Sequence, residues 1–288
     1  MSRAVVRDLY EGDDAARVFS RLMIVSGAAP VLAPVAGGAL LVVTDWRGVF
    51  LVLAVIGFAI LVASWLWVPD SLAPENRHEG GFGEQLRWFG RIARDWRFMG
   101  HAVSLGFASG ALFVYISMSS LVLQDDYGLS AQLFAVVFAA NAAGIVLVGQ
   151  VNPALISRLG TRRVLVGCLV AIAAGAAVAG FAGALRAPRA LLLVAVFVAV
   201  AGQGGQTPNN TALALGPHAR GAGSASAVLG VFQFLVGAVL PPLVSLHGVD
   251  APLMGFTMAG CALVALAALA LMRDAARSAA PAPGAPPR

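Results

Sequence analysis

Eight stretches of this chain contain no Asp, Glu, Lys or Arg: residues 22–44, 48–69, 98–124, 127–157, 164–185, 190–219, 221–249 and 251–272. Each is at least 22 residues long. A helix needs about 20 apolar residues to cross the hydrocarbon core of a bilayer. Helices buried in soluble proteins are rarely this long and this uniformly apolar. Strands of an outer-membrane barrel would alternate over segments of about 10 residues, and no such alternation is present. In lipid every backbone N–H and C=O must be satisfied internally, which leaves helices. The sequence therefore predicts an all-α, polytopic membrane protein with eight transmembrane helices. Charged residues make up only 11% of the chain, against about 25% in a soluble domain. That excludes a soluble globular enzyme, a disordered chain and a nucleic-acid module.

The charge that remains reads as orientation. All 19 basic residues are Arg, and they fall in the loops. Eight spans put both termini on one side. If that side is cytoplasmic, Arg3, Arg7, Arg17, Arg21, Arg77, Arg87, Arg91, Arg94, Arg97, Arg158, Arg162, Arg163, Arg220, Arg273, Arg277 and Arg288 lie inside. Arg47, Arg186 and Arg189 lie outside. Positive charge accumulates on the cytoplasmic side of membrane proteins, so this orientation is the expected one. The N-terminus has no apolar core of a cleavable signal peptide.

One long loop, 70–97, separates two spans from six. Its second half, EQLRWFGRIARDWRF, places Trp88, Ile92 and Trp96 at i, i+4 and i+8, flanked by Arg87, Arg91 and Arg94. This pattern predicts an amphipathic helix lying in the membrane interface. The end of the chain, 274–288, closes in the Pro/Ala run SAAPAPGAPPR, which is expected to be disordered.

Chemistry-bearing motifs are sparse. Cys168 and Cys261 lie in apolar spans without paired spacing and read as buried thiols. The four histidines, His78, His101, His218 and His247, are dispersed, so no metal site is expected. No nucleotide-binding loop, HExxH or GxSxG is present, and the chain is not expected to be an enzyme. No carboxylate or Arg lies deep in a span. What the spans do contain is amides: Asn141, Gln150 and Asn152 in the fourth, Gln203, Gln206, Asn209 and Asn210 in the sixth, and Gln233 in the seventh. Two readings are open for them: hydrogen bonds between helices, or a polar face on a water-filled cavity. Gln150 and Asn152, near the cytoplasmic end, favour the first.

Glycine and proline mark two spans. The first reads SGAAPVLAPVAGG, with Pro30 and Pro34 about a turn apart and Gly27, Gly37 and Gly38 around them. Proline removes a backbone hydrogen bond and bends a helix, and small residues let helices approach closely. The seventh span holds Gly221, Gly223, Gly230 and Gly237, then Pro241 and Pro242. Trp65 and Trp67 suit a membrane boundary.

These segments together resemble a known family. RAVVRDLYEGDDAARVFSRLM, APVLAPVAGG and DWRGVF resemble the fourth-to-sixth helix region of major facilitator superfamily exporters, in particular the Bcr/CflA drug-resistance type. PDSLAPENR (69–77) is similar to that type's exit from the sixth helix. NPALISRLGTRRVL (152–165) resembles the superfamily's loop between helices eight and nine. TPNNTALALGPHARGAGSASAVLGVFQFLVGA (207–238) resembles its tenth and eleventh helices.

The resemblance implies a twelve-helix fold in two halves, of which this chain carries helices 5–12 and the end of helix 4. Residues 1–69 would then belong to the N-terminal bundle, 70–97 to the central cytoplasmic loop and 98–273 to a six-helix C-terminal bundle. The family's coupling acid would lie upstream of Met1. Gly27, Pro30, Pro34, Gly37 and Gly38 match the fifth-helix antiporter motif, with Ala29 where many relatives have Gly. Gly160, Arg162 and Arg163 match the second-half copy of the cytoplasmic loop motif.

The implied activity is proton-coupled efflux of drugs or other small amphipathic molecules across the bacterial inner membrane, by rocking of the two halves. Candidate cavity residues are Tyr115, Met118, Asn141, Gln203, Gln206 and Gln233, with Phe113 and Phe138 available for stacking. The lipid bilayer, a small-molecule substrate and the proton are the implied partners, with no bound cofactor, metal or nucleic acid. Transport of a metabolite, or a non-transporting fragment, are the alternatives.

Overall fold

A few polar residues at the ends of apolar runs set the helix boundaries. The computed structural model describes residues 36–67, 90–217 and 222–278, apart from Leu41 and Ala93. Gly27, Pro30 and Pro34, most of the expected first span and interfacial helix, and nearly all of the Pro/Ala tail lie outside the described residues. Every regular element among the described residues is helical.

The chain forms two compact units, Met1–Gly80 and Gly81–Arg288. In the first, residues 36–40 and 42–43 are helical. Asp45 then starts α1, Trp46–Trp67. Its carboxylate accepts from the Gly48 N–H at 3.0 Å and satisfies one of the orphan donors of the first turn. The Arg47 guanidinium lies 4.4 Å over the Trp46 ring. Within this unit no residue of α1 is buried, so all of its apolar faces are available to lipid or to other helices. Gly37 and Gly38 stand in open space, where an added Cβ meets no heavy atom within 4 Å among the described residues.

In the second unit Asp95 caps α2, Trp96–Leu121, accepting from the N–H groups of Arg97 and Phe98 at 2.9 and 3.3 Å. A π turn, Val122–Asp126, extends it. Ser130 caps α3, Ala131–Leu159, through the Leu133 N–H. Gly160 alone separates α3 from α4, Thr161–Ala184. Then follow α5, Arg189–Ala201, and α6, Gln203–Leu215, divided only by Gly202. The remaining elements are α7, Ala222–Val244, a short 3-10 helix, Ser245–His247, and α8, Ala251–Ser278, with Asp250 capping α8 through the Leu253 N–H at 2.8 Å. Counting α5 and α6 as one, seven helical segments among the described residues are long and apolar enough to span a membrane.

The beginning of α2 corrects one expectation. Ile92 and Trp96 do not lie on one continuous helix, while Trp88 lies outside the described residues. The chain leaves the helix at Asp95, whose side chain is committed to capping α2, and Trp96 opens the span. Ile92 is buried with Phe98, Leu105, Ala214 and Leu229 rather than exposed on an interfacial face.

Helix α2 packs against α6, α7 and α8; α4 packs against α5, α6 and α8; α3 packs against α5 and α6. Leu165, Leu169 and Ile172 of α4 meet Val114 and Met118 of α2 and Met254 and Met258 of α8 in one core. The outer surface also carries large apolar side chains, with Val136, Leu147, Phe181, Val194, Leu263 and Leu271 all exposed. Helices bathed in lipid gain nothing from hiding such side chains from water, so close contact must hold them together. Gly175 supplies it: an added Cβ would lie 2.7 Å from the Ala195 carbonyl and 2.8 Å from the Ala199 nitrogen of α5.

Candidate functional site: a neutral polar seam and an arginine clasp

The sixth predicted span is one uncharged run, yet the structure divides it at Gly202. The Gly205 and Gln206 N–H groups both reach the Gly202 carbonyl, at 3.3 and 3.1 Å. Six residues further on, Pro208 has no N–H to offer the Gly204 carbonyl, which weakens the same turn of helix. The absent side chain at Gly204 lets α6 lie directly on α3, because a Cβ there would clash with the Ile145 carbonyl.

This broken span carries the amides one turn after another, and α2 and α3 receive them on either side. Gln203 donates through Nε2 to the Ala108 carbonyl of α2 at 2.8 Å. Asn209 and Asn152 of α3 form a reciprocal amide pair, at 2.8 and 3.2 Å. Asn210 donates to Ser104 Oγ of α2 at 3.1 Å, and its oxygen lies 2.7 Å from His101 Nδ1. Gln206 accepts from the Thr207 hydroxyl at 2.8 Å. Higher in the bundle, Asn141 of α3 donates to the Tyr115 hydroxyl of α2 at 2.8 Å, and Phe138 stacks on the Tyr115 ring with centroids 5.7 Å apart. Two complementary atoms, Gln203 Oε1 and Gln206 Nε2, are buried without a hydrogen-bond partner.

The structure therefore brings Asn141 to Tyr115 and sets Gln203 and Gln206 on the same helix as Asn209 and Asn210. All of these except Gln233 are buried in contacts between helices. Met118 is buried too, but it also lines a recess of about 290 Å³ with Ser117, Leu121, Pro241, Pro242, Ser245 and Val249, at the end of α2 away from Trp96. Gln233, half-buried on α7, joins none of these hydrogen bonds. Phe113 packs edge-on against Phe234. Gln150 is exposed, whereas Asn152 makes the interhelical bond expected of it.

At the opposite end of the bundle lies the loop motif. Gly160 has φ 82° and ψ 148°, a region essentially reserved for glycine. It turns α3 into α4 with no residue to spare. Arg162 then reaches across to α8 and donates to the Leu269 carbonyl at 3.3 Å. Arg162 and Arg163, with Leu159, Gly160, Thr161, Val166 and Leu213, line an open recess of about 630 Å³.

Sequence reasoning missed three parts of this arrangement: the Ser104 hydroxyl, the Leu269 carbonyl and the bond from His101 to Asn210. Their partners lie roughly a hundred residues away in the chain, so no local spacing reveals them. The amides and hydroxyls of the seam donate and accept without gaining charge, so they can fix helix register and meet polar groups; His101 is the imidazole bonded to them.

Comparison with known proteins places this arrangement. Residues 1–242 match the Major Facilitator Superfamily. The chain is 31% identical over 264 residues to an uncharacterized MFS-type transporter, YdgK, of Bacillus subtilis, covering 90% of this chain and 65% of the relative. It is 26% identical to a bicyclomycin resistance protein homolog of Haemophilus influenzae, covering 93% and 68%. It is 24% identical to the multidrug resistance protein MdtL of Shigella dysenteriae, covering 91% and 66%. The chain thus spans about two thirds of the length of these relatives. With seven membrane-spanning helical segments described and these bacterial relatives, it is a multi-pass membrane protein and not an enzyme. The chain belongs to the major facilitator superfamily of transporters.

Proposed function

We propose that the chain acts in proton-coupled efflux of drugs or other small amphipathic molecules at the bacterial inner membrane, with both termini cytoplasmic. The observation that carries this reading is the match to relatives named for drug resistance along nine tenths of the chain. The six-helix unit would form one wall of the substrate path. Its seam holds no charge, which suits apolar cargo better than a sugar or a phosphate ester. Among the candidate cavity residues, Met118 and Gln233 would touch substrate. Tyr115, Asn141, Gln203 and Gln206 would fix the helices that carry that wall. Gly160, Arg162 and Arg163 would govern the rocking step through the α4–α8 clasp, and Gly27, Pro30, Pro34, Gly37 and Gly38 would form the packing face of a bent helix in the other half.

The test is a chimera in which this chain replaces the matching stretch of the Bacillus subtilis relative. Produced in a pump-deficient bacterium, it should lower accumulation of a fluorescent amphipathic dye several-fold, and a protonophore should abolish the effect. Undiminished accumulation at a matched membrane level would overturn the reading. Efflux insensitive to the protonophore would overturn its proton-coupled part.

A further inference from the structure

We propose that the recess at the ends of α3, α4 and α6 binds the phosphate headgroup of an anionic membrane phospholipid, with its acyl chains running along the outer faces of α3 and α4. The recess measures about 630 Å³, within the range of about 300–1,000 Å³ typical of small-molecule sites. Leu159 closes α3, Thr161 opens α4, and Leu213 lies just before the end of α6. The spans that these helices form are long and apolar enough to cross a membrane, so the recess stands at the boundary between hydrocarbon and water. Its lining divides in two. Thr161, Arg162 and Arg163 supply a hydroxyl and two guanidinium groups, and Leu159, Val166 and Leu213 supply an apolar wall. A ligand that matches both parts carries negative charge at one end and hydrocarbon at the other.

The helices that line the recess bring no compensating charge: α3, α4 and α6 contain no Asp or Glu. Arg162 is fixed at the rim by donating to the Leu269 carbonyl of α8 at 3.3 Å. Arg163 is exposed and, among the described residues, makes no hydrogen bond or ion pair. Gly160 has no side chain with which to cap α4, so the first-turn N–H groups of Thr161, Arg162 and Arg163 add to the positive potential of the same recess. A guanidinium presents paired N–H donors that match phosphate oxygens, and basic pockets between membrane-spanning helices are where anionic headgroups are held. The apolar wall continues towards the middle of the bilayer. Val170 follows Val166 by one turn on the same face of α4, and Val151 precedes Leu159 by about two turns on α3; both are exposed. Free phosphate or a nucleotide would meet the arginines but leave this wall uncovered.

The site does not rest on the export reading, because it is read by binding alone. The test uses the 288-residue chain in neutral detergent micelles, titrated with dioleoyl phosphatidylglycerol or dioleoyl phosphatidylcholine, with bound lipid counted by native mass spectrometry. The chain should retain phosphatidylglycerol in preference to phosphatidylcholine. Arg163→Gln should weaken phosphatidylglycerol binding about fivefold, the share of one arginine near an anionic headgroup. Arg158→Gln removes the same charge from the same end of the bundle but outside the recess, and should leave the affinity unchanged. Leu159→Glu places a carboxylate in the lining at an exposed position and should abolish the preference, which keeps the test open if Arg163→Gln proves unstable. Equal retention of the two lipids, or equal losses from Arg158→Gln and Arg163→Gln, would overturn the site. Inorganic phosphate at millimolar concentration should not displace the lipid; if it does, the recess holds free phosphate and the lipid assignment falls. A chimera that exports without this lipid preference would sink this inference alone, and one that keeps the preference but does not export would sink only the efflux reading.

Discussion

At the scale of single residues, the seam shows why amides are tolerated in lipid-embedded helices. Asn152 and Asn209 satisfy each other twice, so neither leaves a buried polar atom unpaired. Changing Asn209 to Leu strands both functional atoms of Asn152. That should cost about 1–2 kcal/mol, above the roughly 0.6 kcal/mol average for interhelical bonds in membranes. The double change of Asn152 and Asn209 to Leu should cost less than the sum of the two single changes, because nothing is then left unpaired. Thermal unfolding in detergent reads both; additive losses would show the two residues to be uncoupled. Gly160 is a second case. Its φ of 82° with ψ of 148° is closed to side chains, so Gly160→Ala should cost about 1–3 kcal/mol in the same assay, and an unchanged melting temperature would contradict the geometry. The need for glycine at 160 was legible, because a short turn had to fit between two long apolar runs. The partners of the amides were not: the spacing of Gln203, Gln206, Asn209 and Asn210 shows that they follow one another along a helix, but not which neighbours face them.

At the scale of elements, boundaries were read best where charge interrupts apolar sequence. The acids and arginines that close each uncharged run also mark the caps, and Asp45, Asp95 and Asp250 all accept from the first turn of the following helix. The sixth run is one membrane-spanning segment, as its length implies, but its break is made of glycine and proline, which a count of charges does not register. Its division at Gly202 brings α6 onto α3 at Gly204. Gly204→Leu should therefore overpack that contact and destabilise by about 1–3 kcal/mol. Gly167 on α4 provides the control: a Cβ there meets nothing within 4 Å. Gly167→Ala should be neutral or stabilising by up to about 1 kcal/mol, since it only removes backbone freedom. Equal behaviour of the two variants would show that close approach of α3 and α6 is not what Gly204 provides. Ile92 and Trp96 show a related effect: they stand at helical spacing, and the pattern alone does not reveal that Asp95 between them is a cap.

At the scale of the whole molecule, short connections join the successive spans of the second unit, so the charged ends there can be assigned to sides. In the second unit α2 begins beside Arg94 and Arg97, and α3 ends at Arg158, next to Arg162 and Arg163. The opposite ends of α2 and α3 meet around Asp125 and Asp126, where the connection to Ser130 carries no arginine. If the arginine end faces the cytoplasm, as the excess of positive charge on that side requires, a single cysteine at Asp126 is reachable from outside and one at Arg163 is not. The background needs Cys168 and Cys261 replaced, since both thiols are otherwise free. In intact cells a membrane-impermeant maleimide should then label Asp126→Cys within minutes and leave Arg163→Cys unmodified until the membrane is opened. Both positions are exposed in the structure, so failure to label reflects the side of the membrane and not burial in the protein. Labelling of Arg163→Cys in intact cells would invert the topology. It would also place the recess beside Gly160 and the Arg162 clasp on the outer surface, where a cytoplasmic gate could not operate.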